Sequence, residues 1–112
     1  METKQMTFNE YQKLARRTQN KDLNKIEQKA HALHGLAAEV GEIHSIFQKV
    51  YQGHMMDYVA LKDELGDLLW FIAETCDVCE FTLEDVAQRN IGKLRRRYPK
   101  GFDEERSVHR YE

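Results

Sequence analysis

Two apolar stretches of this chain each carry a pair of acids on the face that a packed helix normally keeps free of charge. The first contains Glu39-Val-Gly-Glu42 and the second Glu64-Leu-Gly-Asp67. At about 100° per residue around a helix, with Glu39 at zero, Leu36, Val40, Ile43, Phe47 and Val50 fall between roughly 20° and 100°. Glu39 therefore lies inside the apolar arc, and Glu42, near 300°, lies at its edge. With Glu64 at zero, Leu61, Leu65, Leu68 and Ile72 fall at roughly 40° to 100° and Asp67 near 300°. The two segments share one pattern.

Between them lies Tyr51-Gln-Gly-His-Met-Met-Asp57, a turn with Gly53 near its vertex. An antiparallel helix pair folded there opposes residues whose numbers sum to about 106. Glu42 then faces Glu64, and Glu39 faces Asp67. Four carboxylates on an apolar seam cannot all stay ionised unaided, because burying unpaired charge is costly and like charges raise one another's pKa. An acidic flank paired with lysines or arginines of neighbouring helices would relieve this, but neither core segment supplies a cation beside these acids. A hard divalent cation held by oxygen ligands is the simpler remedy, with Mg²⁺ the expected ion and Mn²⁺ a substitute.

Glu39, Glu42, Glu64 and Asp67 are thus the expected metal ligands. Neither acidic pair is an ExxH, which argues against a di-iron carboxylate bundle. The chain has no glycine-rich phosphate loop. Cys76 and Cys79 form a CxxC, but no second cysteine pair or HxxxH completes a zinc site, so both read as packed thiols.

The acidic pairs are followed by Asn90-Ile-Gly-Lys-Leu-Arg-Arg-Arg-Tyr-Pro-Lys-Gly-Phe102. ExxE, about twenty residues, ExxD and then this NxxK and RYPxGF tail together resemble the MazG-like nucleotide pyrophosphohydrolases of the all-α NTP pyrophosphatase superfamily, from about His31 to Phe102. The resemblance implies hydrolysis of a nucleoside triphosphate to the monophosphate and pyrophosphate, with Mg²⁺ held by the four acids, and so makes Glu39, Glu42, Glu64 and Asp67 the catalytic acids as well. It also implies that Lys93 and at least one of Arg96 or Arg97 neutralise triphosphate oxygens. Asn90 shares a face with Lys93 and Arg97 and can hydrogen-bond sugar or phosphate. Phe71, one turn after Asp67, is placed to contact sugar or base, and His34, one turn before the first acids, is within reach of substrate. Trp70 points away, toward core or interface, and His31 reads as a polar helix-start residue.

The expected chemistry is metal-assisted attack of water on phosphorus. One carboxylate takes the water's proton, and Glu39, deepest in the apolar arc, is the first choice. The number of metal ions stays open. Specialised hydrolysis of dUTP, dCTP or phosphoribosyl-ATP, and a helical regulatory module without turnover, are the alternatives to a house-cleaning enzyme of the nucleotide pool.

For the fold, the expectation is all-α: an antiparallel four-helix bundle-like domain built on the central hairpin, one domain over 1–112 with a polar, irregular arm from about 100 to 112. Thr7-Phe-Asn-Glu10 reads as a capping box opening a helix to about Asn20, with Phe8, Tyr11, Leu14 and Ala15 as its apolar stripe. The long helices occupy about Ala30 to Tyr51 and Asp57 to Cys79, and Thr82 caps the last. Gly41 and Gly66 lie away from the acids, where another backbone can approach. The second core helix is apolar nearly all round, so a homodimer or dimer of dimers is expected. A net charge of -2 gives no general reason to bind nucleic acid. No run approaches the ~20 apolar residues of a membrane span, and the N-terminus lacks a signal-peptide core, so the expected compartment is the cytoplasm.

Overall fold

The computed structural model describes residues 5–109, leaving the first four residues and positions 110–112 of the expected arm outside. Helix accounts for 73% of what is described, and there is no strand, so the all-α class holds. The elements are α1 (Phe8–Arg16), α2 (Lys25–Tyr51), α3 (Tyr58–Val78), α4 (Leu83–Arg97) and α5 (Glu104–Val108).

Local chemistry sets these boundaries. The Thr7 hydroxyl accepts from the Glu10 N–H while the Thr7 N–H donates to the Glu10 carboxylate, the capping box that opens α1. Asn24 and Glu27 form a second one, so α2 starts at Lys25 and not near Ala30. Asp57 and Thr82 cap α3 and α4. Gly53 takes φ +94 at the vertex of the α2–α3 turn, a conformation open to glycine at little cost. The arm is not irregular throughout. Asp103 caps α5, and the Arg106 guanidinium returns to donate to the backbone carbonyls of Arg96 and Arg97 at the end of α4.

The α2–α3 hairpin forms the largest interhelical contact, and α1 packs on α3 and α4. The expected apolar stripe of α1 is only part of that contact, because Phe8 and Leu14 are about half exposed while Gln12 is buried. The Gln12 amide donates to Asp77 and to the Phe81 carbonyl and accepts from the Leu83 N–H, which satisfies it in place of water. Arg16 adds a forked pair to the same Asp77. One polar side chain thereby ties α1 to the end of α3 and the start of α4.

Gly41 and Gly66 face open space in the single chain, and the close approach occurs at Gly35 instead. There a Cβ would overlap the Phe71 ring, so only glycine lets this ring lie against α2. Cys76 is buried and Cys79 exposed, both as free thiols.

Closure of four helices around a common core is not completed within one chain. The buried apolar residues are Ala32, Ala73, Cys76, Val78 and Leu83, mostly small. Phe47, Val50, Tyr51, Leu65, Ile91 and Leu94 remain substantially exposed. The radius of gyration is 17.5 Å, against roughly 13 Å for a compact domain of this length.

Candidate active site

Glu39 of α2 and Glu64 and Asp67 of α3 each place a carboxylate oxygen within 4.8 Å of the others, the one such acidic group among the described residues. The hairpin register accounts for this: 39 and 67 are opposed as expected, and Glu64, one turn earlier on α3, reaches the same point. Glu42 is not brought into the group. It lies exposed on α2, as its position at the edge of the apolar arc allows, and Glu64 hydrogen-bonds Glu39 in its place.

That bond, burial, and the negative charges of Glu64, Asp67 and Glu42 push the Glu39 carboxyl up to about 7. Its Oε2 is buried with no hydrogen-bond partner. A buried acceptor without a donor is costly, and hard oxygen donors from two helices suit a divalent cation such as Mg²⁺. The residues present therefore fit a metal ion held among Glu39, Glu64 and Asp67.

Beside the acids opens a cavity of about 380 Å³ lined by Thr18, Glu39, Asp67, Trp70 and Phe71. Phe71 is where sequence reasoning put it. Trp70 is not turned away: its indole N–H donates to the Ala15 carbonyl and the Thr18 hydroxyl at the end of α1, and its ring meets Phe71 edge to face at 5.0 Å. Tyr11, expected only in the stripe of α1, sits close enough to Asp67 that burial and then this carboxylate raise its phenol.

His31 and Glu74 were also missed as a pair. The Glu74 carboxylate is buried and takes the His31 Nδ1–H at 2.9 and 3.1 Å. Their numbers sum to 105, so the register that opposes Glu39 and Asp67 was the available signal. His34 is exposed and does not line the cavity.

Asn90, Lys93 and Arg96 line a second cavity, of about 450 Å³, with Phe81, Asp85 and Arg89. It shares no residue with the acidic one. Arg97 lines neither; it is half-buried where Arg106 holds its carbonyl. Asn90, Lys93 and Arg96 thus line a different cavity from the carboxylates.

Residues 27–102 match the family model of the MazG nucleotide pyrophosphohydrolase domain. The chain belongs to the MazG family. Its matched segment contains both acidic pairs, the aromatic wall and the whole of α4. The chain is also 31% identical over 85 residues to the Gene 37 protein of Mycobacterium phage L5, covering 71% of this chain and 75% of the phage protein. No solved structure matches it.

Proposed function

We propose that this MazG protein is a divalent-metal-dependent nucleoside triphosphate pyrophosphohydrolase, converting a (d)NTP and water to the (d)NMP and pyrophosphate. The observation that carries the proposal is the convergence of Glu39, Glu64 and Asp67 from two helices, with a buried Glu39 oxygen that lacks a donor. Glu42, one turn from Glu39, joins the ligand set from its exposed position or acts on it through charge. When bound, Mg²⁺ supplies charge neutralisation for the triphosphate and polarises water. One carboxylate of the cluster accepts the water's proton, and Glu39, deepest in the apolar arc, is the first choice. Water oxygen then bonds to phosphorus as the bridging oxygen departs with pyrophosphate. Phe71 and Trp70 wall the cavity for the sugar and base, with His34 at its approach. Asn90, Lys93, Arg96 and Arg97 serve the triphosphate.

A second copy of the chain completes the unit, as a homodimer or a dimer of dimers. A folded chain of 13.3 kDa exposes roughly 6,400 Å², whereas this one exposes 9233 Å². An excess of roughly 2,800 Å² per chain is roughly 5,600 Å² for two, at the upper end of what obligate dimers bury in total. The same association can bring α4 of one copy to the acids of the other. The chain works as one domain, with the arm through α5 as part of it. No helix among the described residues is long and apolar enough to cross a membrane, and the proposed compartment is the cytoplasm.

The test is pyrophosphate release with Mg²⁺ across canonical and damaged nucleotides, dUTP, dCTP and phosphoribosyl-ATP. Release from several nucleotides supports a house-cleaning enzyme, and release from one supports a specialised hydrolase. No release from any substrate, with metal still bound, would leave the regulatory-module reading standing.

A further inference from the structure

We infer that His31 and Glu74 are positioning residues for the Trp70–Phe71 wall, setting how tightly the nucleobase end of a substrate is held while leaving the phosphate chemistry alone. The inference rests on the cavity being the nucleotide site proposed above.

Glu74 is a carboxylate with only 3% of its side chain exposed, and His31 Nδ1 meets both of its oxygens. A carboxylate can only accept, so the proton of the imidazole is fixed on Nδ1 and the ring cannot rotate without stranding buried charge. That ring stands at 88° to Trp70, centroids 6.4 Å apart, and 5.7 Å from Phe71. The two aromatic rings are held from other sides as well. Trp70 is anchored through its N–H to Ala15 and Thr18, and Phe71 lies on the bare backbone of Gly35. His31 is therefore the third support of a wall whose other face lines the cavity beside Glu39 and Asp67. The pair itself does not line the cavity, so it touches neither phosphate nor metal ligands. Flat aromatic faces suit a planar base, and base–aromatic stacking weakens when the rings are free to move.

Trp70 is the chain's one tryptophan, so its fluorescence reports on the wall directly. The probes are an α,β-methylene nucleoside triphosphate and inorganic tripolyphosphate, each titrated with Mg²⁺ by fluorescence and by calorimetry. In wild type the analogue changes Trp70 emission. In His31→Ala its Kd rises about tenfold, while the Kd of tripolyphosphate stays within twofold. His31→Asn keeps an N–H for Glu74 but removes the ring, and gives the same base-selective loss should the alanine variant unfold. With hydrolysable substrate the effect falls on KM with kcat preserved. Equal weakening of both probes, or no weakening of either, overturns the inference, as does an analogue that leaves wild-type emission unchanged. If wild type binds the analogue but releases no pyrophosphate from any nucleotide, the proposed activity fails and the two-probe comparison still decides the role of His31.

Discussion

The two ends of the α2–α3 hairpin are built from similar residues and end up in opposite states. Away from the turn, Phe71 is pressed onto Gly35, Trp70 is bonded to the end of α1, and even the charged Glu74 is buried against His31. Toward the turn, Tyr51, Tyr58 and Val59 stand largely in solvent and Phe47 and Val50 are nearly half exposed. The difference is cover. α1 lies over α3 at the packed end and bonds it through Trp70 and Asp77. The acids sit between the two, where the Glu64 carboxyl and then burial raise Glu39 and the other side is open enough to admit a substrate.

The largest expected effect separates the acids themselves. Glu64→Gln removes a cluster member that also hydrogen-bonds Glu39, so pyrophosphate release should fall at least about a hundredfold. Glu42→Gln alters a residue outside the cluster and should cost less. Equal losses would show that Glu42 is drawn in when metal and substrate bind, and that the turn end of the hairpin rearranges.

The caps at Thr7 and Thr82, the turn at Gly53 and the register, with numbers summing to 106, were legible from sequence pattern alone, whereas the Asn24–Glu27 box that opens α2 and the Asp103 cap of α5 were not read. Glu39 was legible in part: its place in the apolar arc is a property of one helix, but the larger cause of its raised pKa, the Glu64 carboxyl, comes from the other. Trp70, His31 and Glu74 were not. Their roles depend on where α1 and α2 lie against α3, and a wheel drawn for one helix cannot show which neighbour covers its back. Gly41 and Gly66 fail for the same reason: the pattern marked a place for close approach, and the single chain puts nothing there.

Those glycines supply the next contrast. Gly35→Ala drives a Cβ into the Phe71 ring and should destabilise by about 1–3 kcal/mol. Gly41→Ala and Gly66→Ala meet open space and should each stabilise by about 1 kcal/mol through helix propensity. Chemical denaturation measures all three. If either of the latter destabilises, and does so together with loss of the dimer in sedimentation, the back of the hairpin is where the second copy packs.

The dry half of the acid cluster should also be visible in the pH dependence. The folded-state pKa of Glu39 is about 7, against an ordinary value of 4.5, so between these values the folded chain binds the proton that the unfolded chain releases. Stability from this group is full below about pH 4.5 and is lost as pH rises toward 7. Metal-free protein should show that decline, and millimolar Mg²⁺ should flatten it by stabilising the ionised cluster. In Glu39→Gln this contribution should vanish. An unchanged slope in that variant would place the perturbed carboxyl elsewhere.

The smallest effect compares the C-termini of the two core helices, which close with one motif and different residues. At the turn end the His54 N–H bonds the Lys49 carbonyl and the Gly53 N–H that of Val50. At the packed end the Phe81 N–H bonds the Cys76 carbonyl and the Glu80 N–H that of Asp77. Both are Schellman closures, which need a left-handed residue. The first has glycine at φ +94, and the second has Glu80 at φ +65. A side chain in that region costs about 1–2 kcal/mol, and what Glu80 gains in return is an exposed pair with Lys25 at 3.3 Å, worth at most about 1 kcal/mol. Glu80→Gly should therefore stabilise by about 0.5–1 kcal/mol, less than the strain alone because the unfolded glycine chain is freer. Glu80→Ala keeps the strain and loses the pair, so it should destabilise slightly. A glycine variant no more stable than the alanine variant would mean that the packed end holds Glu80 through the Lys25 contact rather than in spite of its backbone.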